Sequence, residues 1–237
     1  MSETTKTFHL AIIPDGNRRW AKQQGLKGYK SLYDRGVDGL VNVTESAFES
    51  GVTHLSLWGS SHANLTDRSS DFFINIDKAF RKHVYKFADH PAIEKYDVHI
   101  NIIGEWRESL TPETIAAFED CMAKTAHRTS RELTLLIDYS GDRERNAAVR
   151  QLLAEQPVSE PVEHMLRVRS WTGHLPDLDL IVRTGSWTDP HNSAGFMNLL
   201  ADETQYSFPE KLWPDFTGKD LADITDDFHA RERRHGK

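Results

Sequence analysis

The sequence has almost no cysteine: Cys121 is the only one among its 237 residues. A single cysteine cannot form a disulfide framework within a chain, and such scarcity is typical of a reducing cytosol. The sequence also has no apolar run near the roughly 20 residues that a membrane-spanning helix needs, and its polar start at 1–6 lacks the pattern of a signal peptide. We therefore expect a cytoplasmic protein with no transmembrane segment.

Breaks between domains are missing as well, since no long linker or low-complexity run interrupts residues 1–237. A chain of this length can bury a core within one domain. An excess of positive charge is also absent, because 36 acidic and 29 basic residues give a formal charge of −7. This balance argues against a nucleic-acid partner, so the basic residues matter as local clusters.

The segment that carries most of the chemistry is an apolar run at 8–13 that ends in a turn with proline and glycine. It predicts a buried strand, followed by a helix over about 19–24. Gly16 allows close backbone approach at this turn, the helix dipole adds partial positive charge, and Arg18 and Arg19 add full charges. We therefore expect an anion here, and a phosphate or diphosphate fits best.

Asp15 lies inside this turn, where its carboxylate would repel an anion. A divalent cation between the two removes the conflict, so Asp15 is a candidate Mg²⁺ ligand. An ordinary strand-to-helix turn explains the same residues if Asp15 or Asn17 caps the helix. The turn is neither a Walker A loop nor a Gly-x-Gly-x-x-Gly fingerprint, because the residues that define those motifs are missing.

Further apolar runs alternate with helical patterns, which predicts the α/β class with a mainly parallel central sheet flanked by helices. Strands are predicted at 54–59, 98–104, 133–138 and 178–183, and helices at 31–50, about 69–87, 111–128, 143–155 and 162–168. Ligands bind beyond the carboxyl ends of parallel strands. The loops at 15–19, 60–68 and 183–198 are therefore expected to share one site.

Several motifs resemble a single family. Residues 13–22 read Ile-Pro-Asp-Gly-Asn-Arg-Arg-Trp-Ala-Lys, which is similar to the Asp-Gly-Asn-x-Arg-Trp-Ala signature of the cis-prenyltransferases, the family of undecaprenyl diphosphate synthase. Similar motifs follow in the family's order at 133–141, 175–185, 212–216 and 231–236. Together they cover nearly the whole chain.

This resemblance implies a homodimer in which each subunit is one domain with an apolar tunnel for a prenyl chain. It implies Mg²⁺ at Asp15 and a second diphosphate site around Arg183. The C-terminal tail, about 228–237, would reach the partner subunit's site through Arg234 and Gly236. The allylic diphosphate would bind Gly16, Asn17, Arg18, Arg19 and Trp20. A metal and preorganised donors at the leaving diphosphate would stabilise the charge that develops there.

The second loop departs from the family pattern Phe-Ser-x-Glu-Asn-Trp-x-Arg. Ser61 and Asn64 are kept, and they are our catalytic candidates beside the metal-binding aspartate. Ala63 replaces the glutamate, Leu65 replaces the tryptophan, and the arginine is missing or displaced to Arg68. In the family this loop positions isopentenyl diphosphate and assists proton loss, so removing its carboxylate changes the environment of the reaction.

The later loop departs as well, because residues 186–193 lack the glutamate and second arginine that follow Arg-Thr-Gly in the family. The substitute donors, with weaker charge, are His191, Asn192 and Ser193. The family's late metal-binding glutamate aligns with Asp202 or Glu203, and we favour Glu203 as the second metal ligand.

The pattern Ser-Ser-x-Ala-Asn at 60–64 resembles the irregular branch of the family, the lavandulyl-type and isosesquilavandulyl-type synthases. Our hypothesis is a short-chain synthase that couples dimethylallyl or geranyl diphosphate head to middle with dimethylallyl diphosphate. Phe72, Phe73 and Phe80 on the tunnel helix fit a short product because large side chains fill space, although their helical spacing also suits ordinary core.

Two alternatives remain. A regular head-to-tail enzyme would use isopentenyl diphosphate to make a short Z-prenyl diphosphate. A noncatalytic subunit of a heteromeric enzyme would be an interaction protein, but such subunits tend to lose the first loop or the tail motif, and this sequence keeps both. Donor length, product branching or cyclisation, and the group that takes the final proton depend on tunnel shape rather than on periodicity.

Overall fold

Six strands form one sheet in this computed structural model, which describes residues 7–26, 30–66, 70–155 and 161–231. The strands are β1 (His9–Ile13), β2 (His54–Trp58), β3 (Val98–Ile103), β4 (Arg131–Leu136), β5 (Leu180–Arg183) and β6 (Gln205–Ser207). Their order across the sheet is β3-β4-β2-β1-β5-β6, and every neighbouring pair is parallel. The expected α/β class with a parallel sheet is confirmed.

Helices fill the connections, because parallel strands can be joined only by long crossovers. Within the described ranges they are α1 (Asn17–Gln23), α2 (Lys30–Glu49), α3 (His62–Thr66), α4 (Ser70–Ala88), α5 (Pro91–Lys95), α6 (Trp106–Ser109), α7 (Pro112–Thr125), α8 (Gly141–Ala154), α9 (Val162–Arg169) and α10 (Gly218–Ala230). None of the helices in these ranges is long and apolar enough to cross a membrane.

Side chains of each strand alternate between two core layers, because successive residues of a strand point to opposite faces of the sheet. In β1, Leu10 and Ile12 belong to the larger layer, which also contains residues of α2, α4, α7 and α10. Ala11 and Ile13 belong to the smaller layer, together with buried residues of the segment 175–200. Burial on both faces explains why the strands read as continuous apolar runs.

A buried aspartate joins α4 to α7. Asp77 is 3 % exposed, and its carboxylate accepts hydrogen bonds from the backbone N–H of Thr111 at 3.0 Å and from Thr111 Oγ1 at 2.8 Å. Thr114 Oγ1 donates a further bond at 3.0 Å. Thr111 is the N-cap residue of α7, so the carboxylate satisfies an N–H group that the helix leaves unpaired. A buried carboxylate with several donors fixes the two helices relative to each other.

Five elements escaped the sequence-based prediction: the strand β6, the helix α10 and the short helices α3, α5 and α6. β6 has only three residues, too few to show a period. The helix α10 did carry a signal, because Thr217 and Asp220 form a capping box in which each side chain accepts from the other residue's backbone N–H. Its buried face, formed by Leu221, Thr225 and Phe228, has helical spacing. The remaining predicted elements are present with shifts of a few residues at their ends.

Candidate active site

A cavity of about 970 Å³ opens at the carboxyl ends of the strands. Its polar lining, drawn largely from the three loops predicted to share a site, includes Asp15, Asn17, Arg18, Arg19, Lys22, Ser61, His62, Asn64, Arg143, Arg183 and Ser193. Its apolar lining, drawn from α4, α7 and the sheet, includes Leu57, Phe72, Ile76, Phe80, Val84, Phe87, Phe118, Leu135 and Ile137. The site therefore combines a polar mouth with an apolar interior.

The first loop brings the end of β1 against the segment before α10. Gly16 has φ 103°, and a Cβ atom there would lie 2.7 Å from Leu212 Cδ2, so this position requires glycine. Asn17 Nδ2 donates to the carbonyl oxygen of Pro14 at 2.9 Å. Gly16 is itself the N-cap residue, and no side chain caps α1. The interpretation of Asp15 or Asn17 as a helix cap is therefore wrong.

Asp15 and Arg183 connect the ends of β1 and β5. Arg183 Nη2 donates to Asp15 Oδ2 at 3.0 Å, and Arg19 Nη2 lies 3.4 Å from Asp15 Oδ1. Nη1 of Arg183 donates to the carbonyl oxygen of His191 at 2.8 Å and to Ser193 Oγ at 2.6 Å. The structure thus groups Asp15, Arg183 and Ser193 as expected, but His191 contributes a backbone carbonyl to the guanidinium.

A smaller pocket of about 300 Å³ adjoins the main cavity. It shares Asp15, Arg19 and Arg183 with the cavity, and the loop 185–189 supplies its other walls. Two concave spaces that meet at one carboxylate and two arginines can hold two anionic groups side by side.

Charge in the main cavity is strongly unbalanced. The cations of its described lining are Arg18, Arg19, Lys22, Arg143 and Arg183, whereas the acid of that lining is Asp15. A concave surface lined mainly by one sign of charge attracts ligands of the opposite sign. Multiply charged anions such as diphosphates suit this lining.

Asp15 fits a magnesium ion that shares its coordination with a ligand. Within the described part of the chain, no group of three or more His, Cys, Asp or Glu side chains could hold a metal. Mg²⁺ commonly takes one or two carboxylates and completes its coordination with water and phosphate oxygens. The donor set here therefore suits Mg²⁺ in the presence of a diphosphate and does not suit a metal held by protein side chains alone.

The second loop contributes four consecutive residues to the cavity wall, from Ser61 to Asn64. Ser61 pairs with Tyr139 in a parallel bridge, and its Oγ accepts from the backbone N–H of Asn64 at 3.2 Å. Both catalytic candidates of this loop therefore reach the cavity. Ala63 is exposed at the mouth, where the family pattern has a carboxylate.

Beside this loop lies an acid that we did not single out from the sequence. Asp138 is fully buried, and its φ of 51° lies in the left-handed region, which costs about 1 kcal/mol or more for a non-glycine residue. Its Oδ1 accepts from His62 Nδ1 at 2.8 Å, and its Oδ2 accepts from Ser109 Oγ. The backbone N–H of Asp138 donates to Ser60 Oγ at 2.9 Å. The hydrogen bond between His62 and Asp138 therefore connects the segments that follow β2 and β4.

The apolar wall of the cavity is largely one face of α4. Phe72, Ile76, Phe80 and Phe87 follow each other at helical spacing, and all four line the cavity. Phe72 and Phe80 therefore lie where the sequence places them. Phe73 does not line the cavity and packs partly buried against the larger core layer.

Two site residues from the sequence analysis lie outside the cavity. Glu203 is exposed in the turn before β6, at the amino end of that strand, while Asp15 follows the carboxyl end of β1. The described chain therefore does not bring Glu203 to Asp15. Trp20 is also absent from the cavity wall and lies beside Arg35, whose guanidinium is 5.8 Å from the ring centroid. The predicted residues Arg68, Arg234 and Gly236 lie outside the described residues.

Comparison with known proteins identifies the family. The family model described as "Putative undecaprenyl diphosphate synthase" matches residues 13–236. The chain belongs to the undecaprenyl diphosphate synthase family. Curated relatives of this family member are named isoprenyl transferases, so prenyltransferase is confirmed as the class of enzyme.

Relatives and solved structures match over almost the full length. The isoprenyl transferase of Neisseria meningitidis serogroup B is 32 % identical over 240 residues, which cover 100 % of this chain and 92 % of that protein. The isoprenyl transferase of Lactobacillus johnsonii is 30 % identical over 246 residues, which cover 100 % of both.

Among solved structures, lavandulyl diphosphate synthase from Lavandula x intermedia in complex with dimethylallyl diphosphate superposes with a TM-score of 0.88 at 22 % identity, covering 99 % of this chain and 100 % of that one. A "probable undecaprenyl diphosphate synthase" from Campylobacter jejuni has a TM-score of 0.75 at 23 % identity, covering 98 % and 99 %. At these identities the likeness is one of fold.

Proposed function

We propose that this family member is a short-chain prenyl diphosphate synthase of the irregular type. It ionises dimethylallyl or geranyl diphosphate in the presence of Mg²⁺ and couples the allylic carbon to the internal double bond of dimethylallyl diphosphate. The donor loses diphosphate with the electron pair of its C–O bond, a C–C bond forms, and the resulting tertiary cation loses one proton. The product is a branched, lavandulyl-type diphosphate.

The donor diphosphate binds the first loop in this proposal. Arg18 and Arg19 bind its oxygens beside the turn at Gly16. Bound Mg²⁺ would stabilise the negative charge that develops as the diphosphate leaves. Asp15 would hold that ion. Arg183 binds the acceptor diphosphate in the adjoining pocket, where the carbonyl of His191 and the hydroxyl of Ser193 orient its guanidinium.

The observation that carries the proposal is the composition of the second loop. Its cavity-lining residues, Ser61 to Asn64, include no carboxylate, and the one acid of the described lining is Asp15 on the other side of the site. The first loop retains the signature of its family, whereas the acceptor side has been changed. An altered acceptor with an unchanged donor is the simplest reaction that this asymmetry supports.

The size of the cavity favours a short product. Pockets for ligands of drug size measure about 300–1,000 Å³, and the cavity of about 970 Å³ includes its polar mouth. Phe72, Phe80 and Phe118 occupy its apolar end with bulky rings. A hydrocarbon of a few isoprene units suits this space better than a long polyprenyl chain.

A regular head-to-tail reaction with isopentenyl diphosphate is the second candidate. It is favoured by the names of the curated relatives, which are isoprenyl transferases at 30 % and 32 % identity. In this reaction the same first loop ionises the donor, and the product is a linear Z-prenyl diphosphate.

The proposal includes a homodimer, which is the assembly that the family resemblance implies. The C-terminal tail of one subunit would place Arg234 and Gly236 at the second diphosphate site of the other. Truncation before residue 232 should then raise the KM for the acceptor more than the KM for the donor.

Product analysis distinguishes the two reactions. The protein is incubated with Mg²⁺ and dimethylallyl diphosphate alone, and in parallel with added geranyl or isopentenyl diphosphate. A branched diphosphate formed without isopentenyl diphosphate supports the irregular reaction. A linear Z-product that strictly requires isopentenyl diphosphate would refute it and establish the second candidate.

A further inference from the structure

We infer that His62 is the base that removes the final proton of the coupling reaction. Asp138 is the positioning residue that orients its imidazole. This inference rests on the proposed function only in requiring a coupling that ends in a tertiary cation. Both the irregular and the regular reaction meet that requirement, because each forms a C–C bond and then loses one proton.

The hydrogen bond between the two residues sets the tautomer of the neutral imidazole. A carboxylate accepts from Nδ1 of His62 at 2.8 Å, so Nδ1 carries the hydrogen. In the neutral ring the lone pair is then on Nε2. After a proton is taken up there, the imidazolium still donates its Nδ1–H to the carboxylate, so the ring keeps its orientation.

The carboxylate cannot turn away from the imidazole. Asp138 is fully buried, and its Oδ2 accepts from Ser109 Oγ while Oδ1 accepts from the ring. Its backbone N–H is held by Ser60 Oγ at 2.9 Å, in a left-handed conformation with φ 51°. Three elements therefore fix this side chain: the end of β4, the end of β2 and α6. Strained non-glycine residues of this kind concentrate at functional sites.

The imidazole has one edge buried and one edge at the cavity. The His62 side chain is 30 % exposed and lines the cavity, whereas Asp138 is not exposed at all. Because the Nδ1 edge meets the carboxylate, the Nε2 edge is the one that faces the open space. The residue sits next to Ser61 in the loop that lacks the family's carboxylate, so it supplies a proton acceptor where that group is missing.

Other proton acceptors of the cavity are less suited to this step. The carboxylate oxygens of Asp15 are already paired with the guanidinium groups of Arg19 and Arg183. His83 lines the cavity from α4, between Phe80 and Phe87, among the apolar residues and away from the strand ends where the diphosphates bind.

Proton loss from the coupled cation completes the reaction. The tertiary cation left by C–C bond formation gives up a proton from a carbon next to the cationic centre. The electrons of that C–H bond form the new double bond, and the proton moves to Nε2 of His62. The imidazolium then releases the proton to solvent when the products leave.

The central test is His62→Gln, which removes the basic nitrogen and keeps a polar side chain of similar reach. General bases contribute about 10²–10⁴ in rate, so we expect kcat to fall at least about 100-fold with KM changed by no more than about threefold. Ionisation should persist, measured as exchange of ¹⁸O between bridging and nonbridging positions of the donor diphosphate. Deuterium in the methyl groups of the acceptor should slow the variant more than it slows the wild type. His127→Gln, at an exposed position outside the cavity, is the matched control.

Asp138→Asn tests the positioning role. We expect kcat to fall about tenfold in this variant, and we expect no further loss when the substitution is added to His62→Gln. An additive loss in the double variant would show that Asp138 acts independently of the imidazole. Unfolding temperatures of all variants are measured alongside, so that a loss of fold is recognised separately.

Two results would overturn the inference. The first is a His62→Gln variant that keeps kcat within about twofold, which would assign the proton to the departing diphosphate. The second is a His83→Gln variant that shows the isotope and exchange behaviour expected here for His62. Wild-type turnover that strictly requires isopentenyl diphosphate would refute the head-to-middle reaction alone. The cation of that reaction loses its proton from C2 of isopentenyl diphosphate, so the same variants are then tested with deuterium at C2 instead of in the methyl groups.

Discussion

Replacing Asp15 by asparagine should have opposite effects on anion binding and on turnover. In the free protein, Asp15 neutralises Arg183 at 3.0 Å and lies 3.4 Å from Arg19. A diphosphate without metal must displace this carboxylate from both arginines. Removing its charge therefore frees two cations for the anion, and also removes the residue that would hold Mg²⁺.

The magnitude follows from the geometry of the site. Two unit charges about 5 Å apart interact by about 3 kcal/mol at an effective dielectric constant of about 20. The Asp15 side chain is 36 % exposed, and salt screens part of this repulsion, so about half is a reasonable expectation. That corresponds to about tenfold tighter binding of inorganic pyrophosphate in the absence of metal.

Isothermal titration calorimetry with pyrophosphate, in chelator and then in Mg²⁺, measures this effect. We expect Asp15→Asn to bind about tenfold more tightly in chelator, to gain nothing from Mg²⁺, and to lose turnover about 100- to 1,000-fold, the effect of removing a main electrostatic donor. Asp223→Asn is the matched control, since that side chain is 63 % exposed, pairs with a lysine and lines neither pocket. Unchanged or weaker pyrophosphate binding in chelator would refute the electrostatic argument, and normal turnover would refute the metal assignment.

Three further predictions concern product length and stability. Phe80→Ala should lengthen the product by at least one five-carbon unit in chromatographic analysis, whereas Phe73→Ala, outside the cavity, should not; equal product lengths would contradict the assignment of the wall. Thr217→Ala removes half of a capping box, which should lower the free energy of unfolding by about 1 kcal/mol. Calorimetry should then show an unfolding temperature about 2–4 °C lower, and an unchanged temperature would show that α10 does not need its cap. Burial lowers the pKa of His9 from 6.5 to about 4. The unfolded chain therefore takes up a proton first as the pH falls, and up to about 3 kcal/mol of stability is lost between pH 6.5 and 4. Urea titrations at pH 7 and 4.5 should show a smaller acid loss in His9→Asn, and an equal loss would contradict the role of this residue.

Much of the site could be read from the sequence because its parts are local. The turn around Gly16 is defined by its own residues, and the parallel sheet brings the ends of separate strands together without further information. Ser61, Arg183 and Ser193 reach the cavity for this reason. Prediction succeeded where a short segment and a rule about strand ends were sufficient.

The remaining features depend on register, which the sequence does not display. His62 and Asp138 are 76 residues apart, and they meet because β2 and β4 pair so that Ser61 lies opposite Tyr139. Glu203 was assigned by motif position, but the start of β6 at Gln205 puts it at the wrong end of a strand. The sequence also does not show which atoms of a loop residue contact a neighbour. His191, for example, contacts Arg183 through its backbone carbonyl oxygen.

The hydrogen bonds of Asp77 have a consequence for how the empty protein keeps its shape. One face of α4 lines the cavity, so on that side the helix borders open space as well as packed side chains. The hydrophobic effect alone would draw Phe72 and Phe80 toward the sheet and close the space. Because Asp77 ties α4 to the first turn of α7, the helix is held in place beside the cavity when no ligand is bound. A prenyl chain that binds in the cavity would add apolar contacts to this face and should raise the stability of the protein.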